Sequence, residues 1–223
     1  MKSNSRIITI LGEGPLAAVL AGLRRLPPRR VLSPLIGALC RTEERIKWHA
    51  VSCLGILTAE LADQDIEAAR AIMRRLMWNL NDESGCVGWG APEALAEIMA
   101  DHAGLAAEYA FFLTACMRAD GFTLELPGLR RGLLWGIGRL AAARPDVLRA
   151  GEAPVLLMPY LVSEDPEVRG LAARAAGLLG VDAARGCIAR LQDDPAPLRL
   201  YEQGEFRSVT VGRLATEALG RLG

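Results

Sequence analysis

The fold is decided by the stretch Ser163-Glu164-Asp165-Pro166-Glu167-Val168-Arg169-Gly170-Leu171-Ala172-Ala173-Arg174-Ala175-Ala176-Gly177. Ser163 to Pro166 are turn formers. Asp165 is an N-cap side chain, and Pro166 falls at the first helical position, where its missing N–H costs no intrahelical bond. From there Val168, Ala172 and Ala176 recur every four residues, which draws one apolar line along a helix. Gly177 follows directly. A helical glycine costs roughly 1 kcal/mol relative to alanine, a cost that the close approach of a neighbouring helix offsets.

Working outward, the same spacing occurs four more times: Ile46, Ala50, Leu54; Val87, Ala91, Leu95; Leu129, Leu133, Ile137; and Val211, Ala215, Leu219. A small residue follows each, namely Gly55, Ala96, Gly138 and Gly220. The starts fall at 46, 87, 129, 168 and 211, steps of about 40 residues. Ahead of each triplet lies a second helical pattern, over residues 31–41, 66–80, 105–119, 155–162 and 184–191. Turn formers part the pairs at Thr42-Glu43-Glu44, Asn81-Asp82-Glu83-Ser84-Gly85 and Asp120-Gly121. Two helices per step make each unit a helical hairpin that hides its apolar faces only by stacking on its neighbours.

Asp165-Pro166-Glu167-Val168-Arg169 resembles the D-P-x-V-R turn of the HEAT-repeat (armadillo-like) family, and the likeness runs from about residue 31 to the C-terminus. The run Glu83-Ser84-Gly85-Cys86-Val87-Gly88-Trp89-Gly90-Ala91-Pro92-Glu93-Ala94 resembles a segment of an uncharacterised bacterial group of HEAT-repeat proteins. Both resemblances imply a fold and no activity. The expected architecture is all-α, an α-α superhelix (HEAT-like solenoid) of about five helix pairs forming a single domain over 1–223. Residues 1–30 are its N-terminal cap, and 31–62, 63–102, 103–144, 152–180 and 182–223 its repeats. A small β-hairpin over 198–210, turning at Gln203-Gly204, is expected inside the last repeat, covering the open end of the array.

Composition narrows the function classes. The chain has 223 residues, 51% apolar but 5% aromatic, with 26 basic and 26 acidic residues. A formal charge of zero lacks the basic excess by which non-specific nucleic-acid binders displace counterions. The balance hides a polarity, since residues 1–50 carry nine Lys/Arg against three Asp/Glu, and residues 60–102 three against nine. Most of these charges are expected on solvated faces. Five dispersed cysteines without a CxxC pair, and two histidines, His49 and His102, offer little to a metal. A reduced, cytoplasmic protein without metal, cofactor or membrane span is expected.

The N-terminal Ile7-Ile8-Thr9-Ile10-Leu11-Gly12-Glu13-Gly14 imitates the strand and glycine turn of a dinucleotide fingerprint. Ala17 stands at the third glycine position, and Pro27-Pro28-Arg29-Arg30 replaces the ribose-binding acid. The segment reads better as a cap ending in a helix from Leu16 to Leu26.

Positions two and six after each triplet start point away from the triplet line and, in HEAT arrays, toward the concave face. They are Trp48 and Ser52, Trp89 and Glu93, Arg131 and Trp135, Gly170 and Arg174, and Arg213 and Glu217. Large aromatics and arginines dominate binding hot spots, so Trp48, Trp89, Glu93, Arg131, Trp135 and Arg174 form the candidate partner-binding surface. Burial of the indoles between helices is the competing structural reading. No catalytic residue is assigned: Ser84 reads as a helix cap, and a His49–Glu93 acid–base pair is weighed below structural roles for both. The expected function is a non-enzymatic protein-interaction or scaffold module with a protein partner. The alternative is a nucleic-acid-binding or DNA alkylation-repair-like HEAT protein, disfavoured by the missing basic excess. A likeness to HEAT-like phycobilin lyases rests on general repeat similarity alone.

Overall fold

The computed structural model describes residues 2–80, 88–119, 124 and 126–223. The expected turns at 81–85 and 120–121, with Glu83, Ser84, Cys86 and Val87, lie outside them. By its internal contacts the chain divides into two compact units, Met1–His102 and Ala103–Gly223.

The first unit contains α1 (Lys2–Gly12), α2 (Leu16–Arg24), α3 (Pro28–Ala38), α4 (Glu44–Ala62), α5 (Ile66–Leu80) and α6 (Ala91–Asp101). The strand-like run at 7–11 is helical. Ile7 and Leu11, four residues apart, are fully buried, on a helix packed against α3 and α4. Their β-propensity describes fit to a pleated sheet, and no strand lies in this unit's described residues, so packing decides the conformation. α5 spans the expected 66–80. α4 and α6 lie side by side and parallel: Lys47 meets Glu93 near their starts, and Gly55 faces Glu97 further along. A Cβ on Gly55 would stand 2.9 Å from that of Glu97, so the small residue after the first triplet admits the neighbouring helix as expected. Leu54, Met73, Leu76, Leu95 and Ile98 fill the core between them.

The second unit begins with α7 (Ala103–Ala115), α8 (Pro127–Ala143), α9 (Pro145–Arg149) and α10 (Ala153–Leu156). A 3-10 turn, Met158–Val162, precedes α11 (Pro166–Leu179). A second, Asp182–Ala184, leads into α12 (Arg185–Ala189), followed by strands β1 (Pro197–Glu202) and β2 (Glu205–Thr210) and by α13 (Val211–Leu222). The helix expected over 155–162 is broken where Pro159 removes a backbone donor, and α9 occupies a segment left between repeats. Asp165 caps α11, its Oδ1 accepting from the N–H groups of Glu167 (3.0 Å) and Val168 (3.4 Å). α11 packs between α8 and α13, with Val168, Ala172 and Ala176 fully buried. The hairpin pairs Leu198 with Val209 and Tyr201 with Phe206. It turns at Gln203 (φ 52°) and Gly204 (φ 88°), the two positive φ values that a type I′ turn demands.

Candidate functional site

In the first unit, Trp48 is half-buried in α4, with Lys47 Nζ 5.3 Å from its ring centroid. The same ammonium donates to Glu93 Oε1 at 2.7 Å, so Lys47, outside the candidate set read from the sequence, ties the two candidate residues together. Glu93 is 2% exposed in the first turn of α6, where the positive end of the helix dipole favours a carboxylate. Its Oε2 is buried and has no hydrogen-bond partner among the described residues, an uncommon state for a buried charged group.

Trp89 precedes α6 rather than riding on it, and is 37% exposed. Both its neighbours are glycines of necessity. A Cβ on Gly88 would stand 2.8 Å from the Asn79 carbonyl oxygen, and Gly90 combines φ +76° with Leu39 Cβ at 3.0 Å. The backbone therefore holds a large apolar side chain in partial contact with water at the cost of two glycines. Ser52 is buried. His49 Nδ1–H donates to the Leu11 carbonyl at 2.7 Å and fastens α1 to α4, a structural role, while Glu93 engages Lys47.

In the second unit the candidate residues meet the chain itself. Arg131 of α8 donates from Nε to Asp165 Oδ2 at 2.8 Å and lies 3.5 Å from Glu167. The hydrogen bond to Asp165 holds its pKa above the ordinary arginine value. Trp135 is 6% exposed, and its indole N–H donates to the Tyr201 carbonyl at 3.0 Å. Arg174 donates to Glu202 Oε1 at 2.6 Å. Its other amino group lies 2.6 Å from where a Cβ on Gly138 would be, so here the glycine makes room for a guanidinium. Burial pulls the Arg174 pKa below its usual value. On α13, Glu217 accepts from Arg213 at 2.8 Å and from the hairpin's Arg207 at 3.4 Å. A Cβ on Gly170 would touch Leu198 at 3.4 Å. The hairpin thus runs across the stripe of α8, α11 and α13, a placement the sequence reading did not foresee.

No group of three or more His, Cys, Asp or Glu among the described residues could hold a metal ion. No described helix is long and apolar enough to cross a membrane.

No family model matches the sequence, and no curated protein matches it either. Among solved structures, the chain is similar to an engineered protein at 16% identity and a TM-score of 0.56, covering 100% of this chain and 97% of that one. It is similar to a computationally designed armadillo repeat protein for modular peptide recognition, at 20% identity and 0.54, covering 98% and 91%. A third, a designed armadillo repeat protein in complex with the peptide (KR)4, matches at 19% and 0.50, covering 98% of each chain. At such identities the likeness shows the fold: an all-α, armadillo/HEAT-like α-α repeat solenoid carrying a small antiparallel hairpin.

Proposed function

We propose that this chain is a non-enzymatic protein-interaction module, a single repeat array of the HEAT-like kind working in a reduced, cytoplasmic setting. Its partner binds the faces of the second helix of each pair. Trp48, Trp89 and Glu93 serve in the first unit; Arg131, Trp135 and Arg174, held in this structure by the chain's own Asp165, Tyr201 and Glu202, serve in the second once those contacts open. The observation that carries this reading is Trp89, held partly exposed between two glycines that nothing larger can replace. Trp supplies much contact area for little rotamer entropy, and hot spots are rich in it. Trp48 on α4 adds a second aromatic, with the Lys47 ammonium at its ring and Glu93 fixing that ammonium in place. Armadillo repeat proteins of similar fold include one designed for peptide recognition and one in complex with a basic peptide, and repeat surfaces are a common platform for extended ligands.

The test is an affinity pull-down from native extract, scored for protein and nucleic acid, with wild type and a folded Trp48→Ala/Trp89→Ala variant. Specific proteins lost with the variant and retained through added salt support the reading. Nucleic acid released steeply by salt sinks it in favour of the phosphate-binding alternative. Proteins retained equally by both forms remove Trp48 and Trp89 from the site.

A further inference from the structure

The hairpin of the second unit is bound as a ligand would be. It buries Leu198, Leu200, Tyr201 and Val209, and each of the three helices beneath it reads a different chemical feature. α8 gives the Trp135 indole N–H to a backbone carbonyl, that of Tyr201. α11 gives the Arg174 cation to a carboxylate, Glu202. α13 offers the Glu217 carboxylate to a cation, Arg207. A surface that only needed sealing would be served by apolar residues alone, since a half-buried ion pair gains little over a hydrophobic contact. A neutral donor and a cation read successive residues of β1, Tyr201 and Glu202, and an anion reads Arg207 on the paired β2; matching backbone and side-chain groups in this way is how peptides are recognised. The base of the hairpin is fastened separately, by Val211 N–H to the Ala196 carbonyl at 3.0 Å and Gly212 N–H to the Asp194 carbonyl at 2.9 Å. These two bonds tie the start of α13 to residues 194–196 without using the strands.

We infer that the face formed by α8, α11 and α13 is a receptor for an extended peptide bearing a carboxylate directly after an aromatic residue. The chain's own hairpin occupies it in cis, and a partner segment of that chemistry binds by displacing residues 197–210. The covalent link gives the hairpin a high effective concentration at the face, so the receptor is closed until a competitor outmatches it. For Trp135 and Arg174 this rests on the binding role proposed above. The experiment leaves Trp48 and Trp89 intact, so its failure is distinct from failure at those anchors.

The experiment compares full-length wild type with Glu202→Arg, which sets like charges against Arg174 and Arg207 and loosens the hairpin without altering the receptor. The probe is a fluorescent synthetic peptide with the sequence of residues 197–210; a control peptide carries Arg at the position of Glu202. Glu202→Arg is expected to bind the probe about tenfold more tightly than wild type, with hydrogen exchange at the Trp135 indole accelerated by about the same factor. Arg174→Glu alone, which repels the hairpin's own Glu202, should transfer the preference to the control peptide. Equal probe binding by wild type and variant, or no binding with unchanged indole exchange, overturns the proposal. Should Glu202→Arg fail to fold, Glu202→Gln, which keeps the shape of the side chain and drops the charge that pairs with Arg174, must show a gain in probe binding of the same direction, and its absence overturns the proposal equally.

Discussion

The Cα of Ala218 lies 2.5 Å from the point where a Cβ on Gly177 would stand. α11 and α13 are in backbone contact there, and any side chain forces them apart. Gly177→Ala should destabilise the chain by about 1–3 kcal/mol through overpacking. Gly220, also the small residue after its triplet, meets nothing within 4 Å. Gly220→Ala should therefore be stabilising, by roughly 0.5 kcal/mol. Urea unfolding midpoints of the two variants should move in opposite directions; a shared direction would discredit the packing account.

Removing the cap of α11 should be costly at two places at once. Asp165→Ala strands the N–H groups of Glu167 and Val168 and releases Arg131. A loss of about 1–2 kcal/mol is expected from the cap, with less from the partly exposed ion pair. Asp165→Asn keeps the cap acceptor and should recover most of it in thermal melts. If Asn is as damaging as Ala, the ion pair outweighs the cap.

Two tryptophans of the same inferred stripe should respond differently to truncation. Trp135→Ala removes a buried indole and its hydrogen bond to the hairpin, a loss of about 3–5 kcal/mol. Trp89→Ala, with over a third of the side chain in water, should cost about 1–2 kcal/mol. Chemical denaturation of both variants reads this directly, and equal losses would deny Trp89 its special presentation.

Burial pushes the Cys53 and Cys116 thiols up to about 12, while Cys40 is exposed. At pH 8, iodoacetamide with mass spectrometry should modify Cys40 and spare Cys53 and Cys116 until the chain is unfolded. The linkage has a definite sign. Above pH 9 the unfolded chain loses these protons and the folded chain keeps them, so stability falls as pH rises from about 9 towards 12. Denaturation midpoints that stay flat over this window in wild type, or that fall equally in a Cys53→Ala/Cys116→Ala variant, would refute the assignment.

How much of this was legible varies with the range of the signal. Apolar residues every four positions, Asp165 before Pro166, and the limits of α5 are local features, and the sequence analysis read them from neighbouring residues. The run Ile7 to Leu11 imitates a strand in composition and folds as a helix, because strand and helix formers differ by less than one packed face contributes. Trp48 and Trp89 share a repeat position and Trp135 lies a turn further along its own repeat, yet the surroundings of all three are set by residues remote in sequence. Trp135 is covered by Tyr201, 66 residues away, and Trp89 is placed by glycines outside the helix whose spacing was used to find it. Lys47 was missed as a link to Glu93, although its position beside Trp48 was a usable signal. No local pattern states which face a hairpin covers.

Asp165 both starts α11 and receives Arg131 from the preceding pair, while Arg169, one turn on, donates to Asp194 of the following one at 2.7 Å. The seams are therefore written into the residues that begin the helix. Asp165-Pro166 and Asp194-Pro195 are the same dipeptide in successive pairs, so the aspartate that opens a turn in each is also the hook for an arginine of the pair before it. One residue type thus sets both where the chain turns and which helix lies beside it.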